Sequence, residues 1–403
     1  MRDMKRSKDL RLIFVLLAFE LLTLAILSVI AVGKYGGRGK TNARSALGSL
    51  NAAEAVFPDS ALLKVGGDID PVTPAPTNRP PVKTPEAGAT PEPTATPEPE
   101  KFNYYSFSFG KDDYVITKQV APEGGFSGDA LTVNGLSDEA FTIPVKSSTI
   151  VISGVNIENE YVNKPLPLRE IFAEPLRLRR FDPAADGQFI VFYTHTYEGY
   201  CVTEEEQLHE KRWYTSEDNA ANVVAAGTAL YDRLDLLGIR GVNNLTVHND
   251  GKDALKSYEL SYATLTGELA EHPDARLVVD VHRNGYGKLY KGKLYGPTAE
   301  LDEEKYAKLM FVIGLDYDSS KGEYSYENNP YWKENFKLVF LLIQKLEEKV
   351  PGICSGIALR KTPYNQGLAP NSLLLEVGFE GNLVSEAQRT SEVLAEVLAE
   401  VYS

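Results

Sequence analysis

The sequence predicts an α/β domain over residues 186–403, with a mostly parallel central sheet flanked by helices. Three observations carry this. Apolar runs of strand length occur in QFIVFYT (188–194), ARLVVDVH (275–282) and SLLLEVG (372–378). Segments with helical spacing of apolar residues lie between and after them. The order is strand then helix, repeatedly, which is the pattern of crossover-connected parallel strands.

The helical segments read as follows. NAANVVAAGTALYDRLDLLGI (219–239) places Val223, Val224, Gly227, Leu230, Leu234 and Leu237 at helical spacing and stops at Gly238. NPYWKENFKLVFLLIQKLEEKV (329–350) starts with Asn329 and Pro330 in cap and first-turn positions. SEVLAEVLAEVY (391–402) is an amphipathic helix. No internal repeat is evident.

The preceding half of the chain is organised differently. Residues 1–11 form a short, Lys/Arg-rich stretch expected on the cytoplasmic side. The run Leu12–Val32 is 21 residues long and apolar apart from Glu20, Thr23 and Ser28. That length suits one transmembrane helix. It exceeds a secretory signal core and offers no good A-x-A cleavage site, so an uncleaved single-pass anchor is expected. Basic residues flank it on both sides, and the short leading segment sets the orientation, with the long remainder outside the cell membrane.

Residues 33–70 form a juxtamembrane segment. Residues 71–100 hold ten of the 23 prolines and no aromatic residue. Such a stretch buries no core and reads as a disordered Pro/Thr-rich spacer, extended at ~3.1 Å per residue. Residues 101–185 show short alternating runs between Gly, Asp, Ser and Pro, a small β-rich region.

Composition excludes some functions. A net charge of -14 with no basic stripe beyond the first 50 residues argues against nucleic acid. Hydrophobic content of 43% suits a folded core. Cys201 and Cys354 sit in no metal-ligand spacing and read as two unpaired thiols.

The ends of the predicted strands carry the chemistry, where ligands bind in open α/β sheets. The first delivers His195 and Glu198, the second His282, and the third Glu376. Two imidazoles and one carboxylate leave the fourth position of a tetrahedral Zn2+ open to water. A further carboxylate can move the proton. The competing reading is that each group merely ends a strand in solvent. His248, after the β-like run LTV, is read as a loop or substrate contact. His209 and His272 lie in charged, surface-like stretches.

The strings THTYEGY, DVHRNG, ENNPYWKEN and TPYNQGLAPNSLLLEVGFEGN resemble the catalytic domain of the stage II sporulation protein P family, over about residues 186–403. EVGFEGN is more distantly similar to zinc N-acetylmuramoyl-L-alanine amidases, and His-x-x-Glu with a distant His resembles zinc carboxypeptidases. The resemblance implies an amidase-like fold and a zinc-dependent peptidoglycan amidase, with endopeptidase action on cross-linked stem peptides. It implies His195, Glu198 and His282 as metal ligands and Glu376 as general base and acid. It also implies work with stage II sporulation proteins D and M in septal thinning and engulfment, at the membrane of a spore-forming bacterium.

Arg283 either holds a substrate carboxylate or oxyanion, or braces the site in a salt bridge. Arg360, Tyr364, Asn365 and Gln366 either line the groove for the stem peptide or stabilise a turn. The chain departs from the family pattern at Tyr193, where a histidine is usual, at Asn284, where Asp is usual, and at Lys252, which precedes Asp253. Strand alternation is expected to send Tyr193 and His195 the same way, with only His195 in step with Glu198. These departures motivate one alternative, a degenerate wall-binding scaffold; another is a carboxypeptidase trimming stem peptides, which would need a cation to grip a free terminal carboxylate.

Overall fold

The structure, a computed structural model, describes residues 100–144, 147–159, 164–208, 215–249, 254–287, 289–318, 320–324 and 327–403. The expected anchor at 12–32, the segments around it, most of the spacer at 71–100, and His209, Lys252 and Asp253 lie outside the described residues. Among the described residues, no helix is long and apolar enough to cross a membrane.

Two sheets organise the rest. In the first, β1 (Lys101–Phe109) pairs antiparallel with β2 (Tyr114–Pro122) and parallel with β3 (Leu131–Val133). The strands β4 (Ser147–Ile152) and β5 (Val155–Asn159) leave this sheet and join the central one, while β6 (Leu176–Arg179) returns to pair with β1. The central strands that follow are β7 (Phe189–Phe192), β8 (Val242–Asn243), β9 (Leu277–Asn284), β10 (Leu309–Gly314), β11 (Cys354–Arg360) and β12 (Ser372–Phe379).

The central sheet has eight strands in the order β8-β7-β9-β12-β10-β11-β5-β4. It is mixed: β12 runs antiparallel to β10, and β4 to β5, while the other neighbours are parallel. The strands β7 and β9 are buried along their whole length, because helical segments cover both faces.

Three helices cover one face: α1 (Val223–Leu236), α3 (Trp332–Lys349) and α4 (Val384–Tyr402). Their apolar stripes meet Val191, Val279, Val281, Leu373, Leu375, Phe311 and Leu359 in the main core. The other face carries Phe192, Val278 and Ile190 against Leu265 of α2 (Ala254–Glu271) and Ala369. Asn222 caps α1 by accepting from the Val224 N–H at 2.9 Å.

The expected cap at Asn329 sits elsewhere. Its side chain donates to the Gly314 carbonyl at 2.7 Å and accepts from Tyr331 N–H, so α3 begins at Trp332 with Tyr331 as its cap. The β-rich region is joined to the rest by aromatic packing: Phe109 and Phe172 meet Phe340 of α3 at ring-centroid distances of 5.8 and 5.4 Å. Tyr105 Oη donates to the Val401 carbonyl at 2.6 Å and ties the first sheet to the end of α4.

Candidate metal and catalytic site

Register assembles the site. In the parallel pair of β9 and β12, His282 lies directly opposite Glu376, so the two side chains share one face of the sheet. The chain leaves β7 after Phe192 and turns, with the Glu198 N–H bonding the His195 carbonyl at 3.0 Å. This turn brings His195 to within 5.2 Å of His282, ring centroid to ring centroid, at an interplanar angle of 79°. It also sets Glu198 Oε2 3.6 Å from His282 Nδ1. The main-chain N–H of Arg283 donates to the same oxygen at 2.9 Å and fixes that carboxylate.

The structure thus brings His195, Glu198, His282 and Glu376 together. Two ligands of one tetrahedral zinc, each ~2.0–2.1 Å from the ion, stand roughly 3.4 Å apart. The Glu198–His282 spacing fits such a pair. Buried Glu376 Oε2 has no hydrogen-bond partner, an orphaned acceptor facing a site of this kind. As the side chains stand, no group of three His, Cys, Asp or Glu among the described residues is arranged to hold a metal ion. The donor types and the Glu198–His282 pair fit zinc; a full ligand shell needs a rotation of side chains.

Asp280, which sequence reasoning missed, orients the cluster. It is 4% exposed and stands two residues before His282, on the same face of β9. Its Oδ1 is 3.1 Å from His282 Nε2, without the alignment of a full hydrogen bond. Its carboxylate accepts from Thr194 N–H at 3.0 Å and from Thr194 Oγ1 at 2.7 Å. Thr194 Oγ1 also bonds Ser261 Oγ at 2.9 Å, and Asn365 Nδ2 donates to the same Ser261 oxygen at 2.8 Å. Tyr258 closes this side, its ring 5.2 Å from that of His195 and 5.5 Å from that of Tyr364. The signal in the sequence was D-x-H within a strand.

The electrostatics pull the groups apart. Burial would lower the His282 pKa, but the negative charge of Asp280, joined by that of Glu198, raises it well above the usual imidazole value. Burial would raise the Glu198 carboxyl, yet its close contact with His282 and the positive charge there hold it below the usual range. Glu376 goes the other way: burial, then the Glu198 charge, push it up to about 7. Burial pushes His195 down to about 4, favouring the neutral imidazole that a metal requires.

The remaining predicted residues serve the scaffold in this structure. The Arg283 guanidinium is buried and donates to the carbonyls of Gly199 (2.9 Å) and Asn284 (3.2 Å), bracing the turn that carries Glu198. Arg360 is 4% exposed and pairs with Glu158 at 2.7 Å. Gln366 ties two neighbouring strands: it accepts from Gly314 N–H and donates to the carbonyls of Val312, both on β10, and of Ser372 on β12. His248 is buried, with Nδ1 2.8 Å from the Tyr193 carbonyl and Nε2 2.9 Å from Thr264 Oγ1. Both ring nitrogens are used, so neither faces a substrate. Tyr364 holds a positive φ of 53° in the half-buried segment beside Tyr258. His272 is half-buried beside Glu268 rather than fully exposed. Both cysteines are free.

Tyr193 corrects the alternation argument. The turn after Phe192 separates it from His195, and its ring enters the opposite core, where Oη donates to Asn243 Oδ1 at 2.8 Å. Gly227 of α1 makes room: a Cβ there would stand 2.4 Å from Tyr193 Oη. Position 193 is therefore outside the cluster of His195, Glu198 and His282.

A family model described as stage II sporulation protein P matches residues 163–399. The stage II sporulation protein P of Bacillus subtilis (strain 168) is 27% identical over 226 residues, which are 53% of this chain and 50% of that protein. The chain thus spans about half the length of this curated relative. Solved structures with some likeness include the N-acetylmuramoyl-L-alanine amidase AmiC2 of Nostoc punctiforme (12% identity, TM-score 0.29, 54% of this chain and 97% of that one). Another is the CwlD amidase from Clostridioides difficile in complex with the GerS lipoprotein (13% identity, TM-score 0.30, 53% and 95%).

Proposed function

The chain belongs to the stage II sporulation protein P family, and from that premise we propose that it is a zinc-dependent peptidoglycan hydrolase. Its reaction is that of an N-acetylmuramoyl-L-alanine amidase, with endopeptidase action on cross-linked stem peptides. The observation that carries this reading is the convergence of His195, Glu198, His282 and Glu376 at the carboxyl ends of β7, β9 and β12.

His195, Glu198 and His282 would hold the zinc ion. When bound, the ion supplies a Lewis acid for the amide carbonyl and acidifies a water molecule. The chain's own residues supply the rest. Asp280 and the Arg283 N–H hold His282 and Glu198 in place. Glu376, with its raised pKa and an unpartnered Oε2, takes a proton from the attacking water and returns it to the leaving amine. The family premise extends the proposal to a single-pass anchor, an extracytoplasmic catalytic domain, and work with stage II sporulation proteins D and M in engulfment.

The test incubates the chain with purified peptidoglycan, with and without chelator, and identifies released fragments by mass. Denuded glycan and free stem peptide, lost on chelation and restored by zinc, are the expected products. Loss of only a terminal amino acid would make the protein a carboxypeptidase. Wall binding with no release after zinc is restored would favour the scaffold reading.

A further inference from the structure

The segment YGKLYKGKLYG (286–296) follows directly from the strand that carries His282 and belongs to no element used above. Its three tyrosines form one aromatic cluster with Phe379. Ring centroids are 4.7 Å apart for Tyr286–Tyr295, 5.3 Å for Tyr290–Tyr295 and 4.8 Å for Tyr295–Phe379. None of the four belongs to a hydrophobic core cluster among the described residues. Tyr290 is 41% exposed, and the other three are half-buried. Core packing therefore does not account for a surface aromatic group of this size.

Register places the cluster beside the metal and catalytic residues. Beyond the His282–Glu376 pair the register shifts, and Asn284, two residues past His282, pairs with Phe379, three residues past Glu376. Tyr286 follows His282 by four residues, at most roughly 13 Å of extended chain. The cluster thus lies past the carboxyl ends of β9 and β12, within a few sugar rings of Glu376.

The loop is held before any ligand arrives. The buried Glu380 carboxylate accepts from the N–H groups of Tyr286 and Gly287 at 2.9–3.2 Å. Gly381 N–H donates to the Tyr295 carbonyl at 2.9 Å, and Gln207 joins Gly381 to Leu294. The two backbones touch: a Cβ on Gly296 would stand 2.4 Å from Gly381. A surface fixed in this way loses little entropy on binding. Lys291 and Lys293, both exposed, add local positive charge to a chain of net charge -14.

We propose that the exposed Tyr290 ring, propped edge-on by Tyr286 and Tyr295 at interplanar angles of 85° and 70°, is the stacking platform for a pyranose ring of a β-1,4-linked amino-sugar glycan. Lys291 Nζ, 5.2 Å from the ring centroid, covers one face of Tyr290 and leaves the other for the sugar. The apolar C–H face of such a ring lies on aromatic faces, and the phenol hydroxyls meet its equatorial hydroxyls. Phenols suit this role because one end is apolar and the other wet. The platform rests on the hydrolase reading, since it would hold the glycan strand while the amide reaches Glu376.

The test titrates a tetramer of β-1,4-linked N-acetylglucosamine into the full chain by calorimetry. This probe has no stem peptide and is not a substrate of the proposed reaction. Tyr290→Ala is expected to weaken binding about 10-fold, and Tyr290→Trp to retain it, with thermal unfolding unchanged because the side chain is exposed. On peptidoglycan the same Tyr290→Ala should raise KM and leave kcat alone. Failure of the wild-type chain to bind the tetramer, or binding by Tyr290→Ala at full strength, overturns the platform. Tetramer binding without wall cleavage overturns the hydrolase reading and leaves the platform standing.

Discussion

Asp280 Oδ1 stands 3.1 Å from His282 Nε2, on the side of the imidazole away from Glu198. A carboxylate in that place fixes the ring's orientation and leaves Nδ1 for a metal, the arrangement by which outer residues tune metal-bound histidines. Asp280→Asn keeps the shape but removes the charge. Zinc affinity, measured by competition with a chromogenic chelator, should fall about 10–100-fold. Unchanged affinity in a folded variant would remove Asp280 from the site's machinery.

Glu376 faces His282 across two strands but hydrogen-bonds to nothing through Oε2. Glu376→Gln should therefore lower the rate of peptide release by about 10²–10⁴-fold, as loss of a general acid and base does. Zinc stoichiometry, read by metal analysis of the purified protein, should stay at the wild-type value. Loss of the metal along with the activity would recast Glu376 as a ligand.

The residues that mark the site were legible because each stands at a strand end in a long apolar run, as in LVVDVH and LLLEV. What brings them together was not. The Cα register that opposes His282 to Glu376 depends on which strands are neighbours, and β12 is flanked by β9 on one side and β10 on the other. The run LMFVIG, now β10, carries no ionisable group, and CSGIALR, now β11, has only Cys354 and Arg360 at its two ends, neither in a pattern that pointed to a strand beside β12. Asp280 was hidden by its setting, since an acidic residue inside a strand looks like a break in the pattern until Thr194 is placed over it. Gln366 and Arg360 looked like groove residues because they are polar and close to the motif. Burial turned them inward, where polar side chains must be paired and so tie strands together.

Glu198 and His195 differ in what they anchor. Glu198 accepts from the Arg283 N–H and lies at ligand spacing from His282, whereas His195 meets the cluster through its ring. Both His195→Ala and Glu198→Gln should weaken zinc binding, and the double variant should bind none at micromolar metal. Calorimetric titration of zinc into each metal-free variant checks this. Full affinity in Glu198→Gln would leave that carboxylate as a hydrogen-bond acceptor only.

Tyr193 occupies the position where relatives usually show histidine, and its place in the fold decides what that change costs. Its hydroxyl donates to Asn243 Oδ1 on the α1 side of the sheet, away from His282. Tyr193→Phe should thus lose about 1 kcal/mol of stability, the net worth of one hydrogen bond, and leave zinc affinity and activity as they were. The neighbouring glycine gives a stronger and opposite contrast. In an ordinary helix Gly227→Ala would gain up to about 1 kcal/mol. Here the new methyl would stand 2.4 Å from Tyr193 Oη, and the ring, fully buried, has nowhere to go. Overpacking of about 1–3 kcal/mol should outweigh the helix gain. Urea unfolding of both variants reads these differences, and the double variant Tyr193→Phe with Gly227→Ala should recover little of the loss, because ring Cε1 and Cζ would still stand 2.5 and 2.8 Å from the methyl. If Tyr193→Phe instead abolished zinc binding, the opposite-face placement of residue 193 would be wrong, and with it the assignment of His195 as the first ligand.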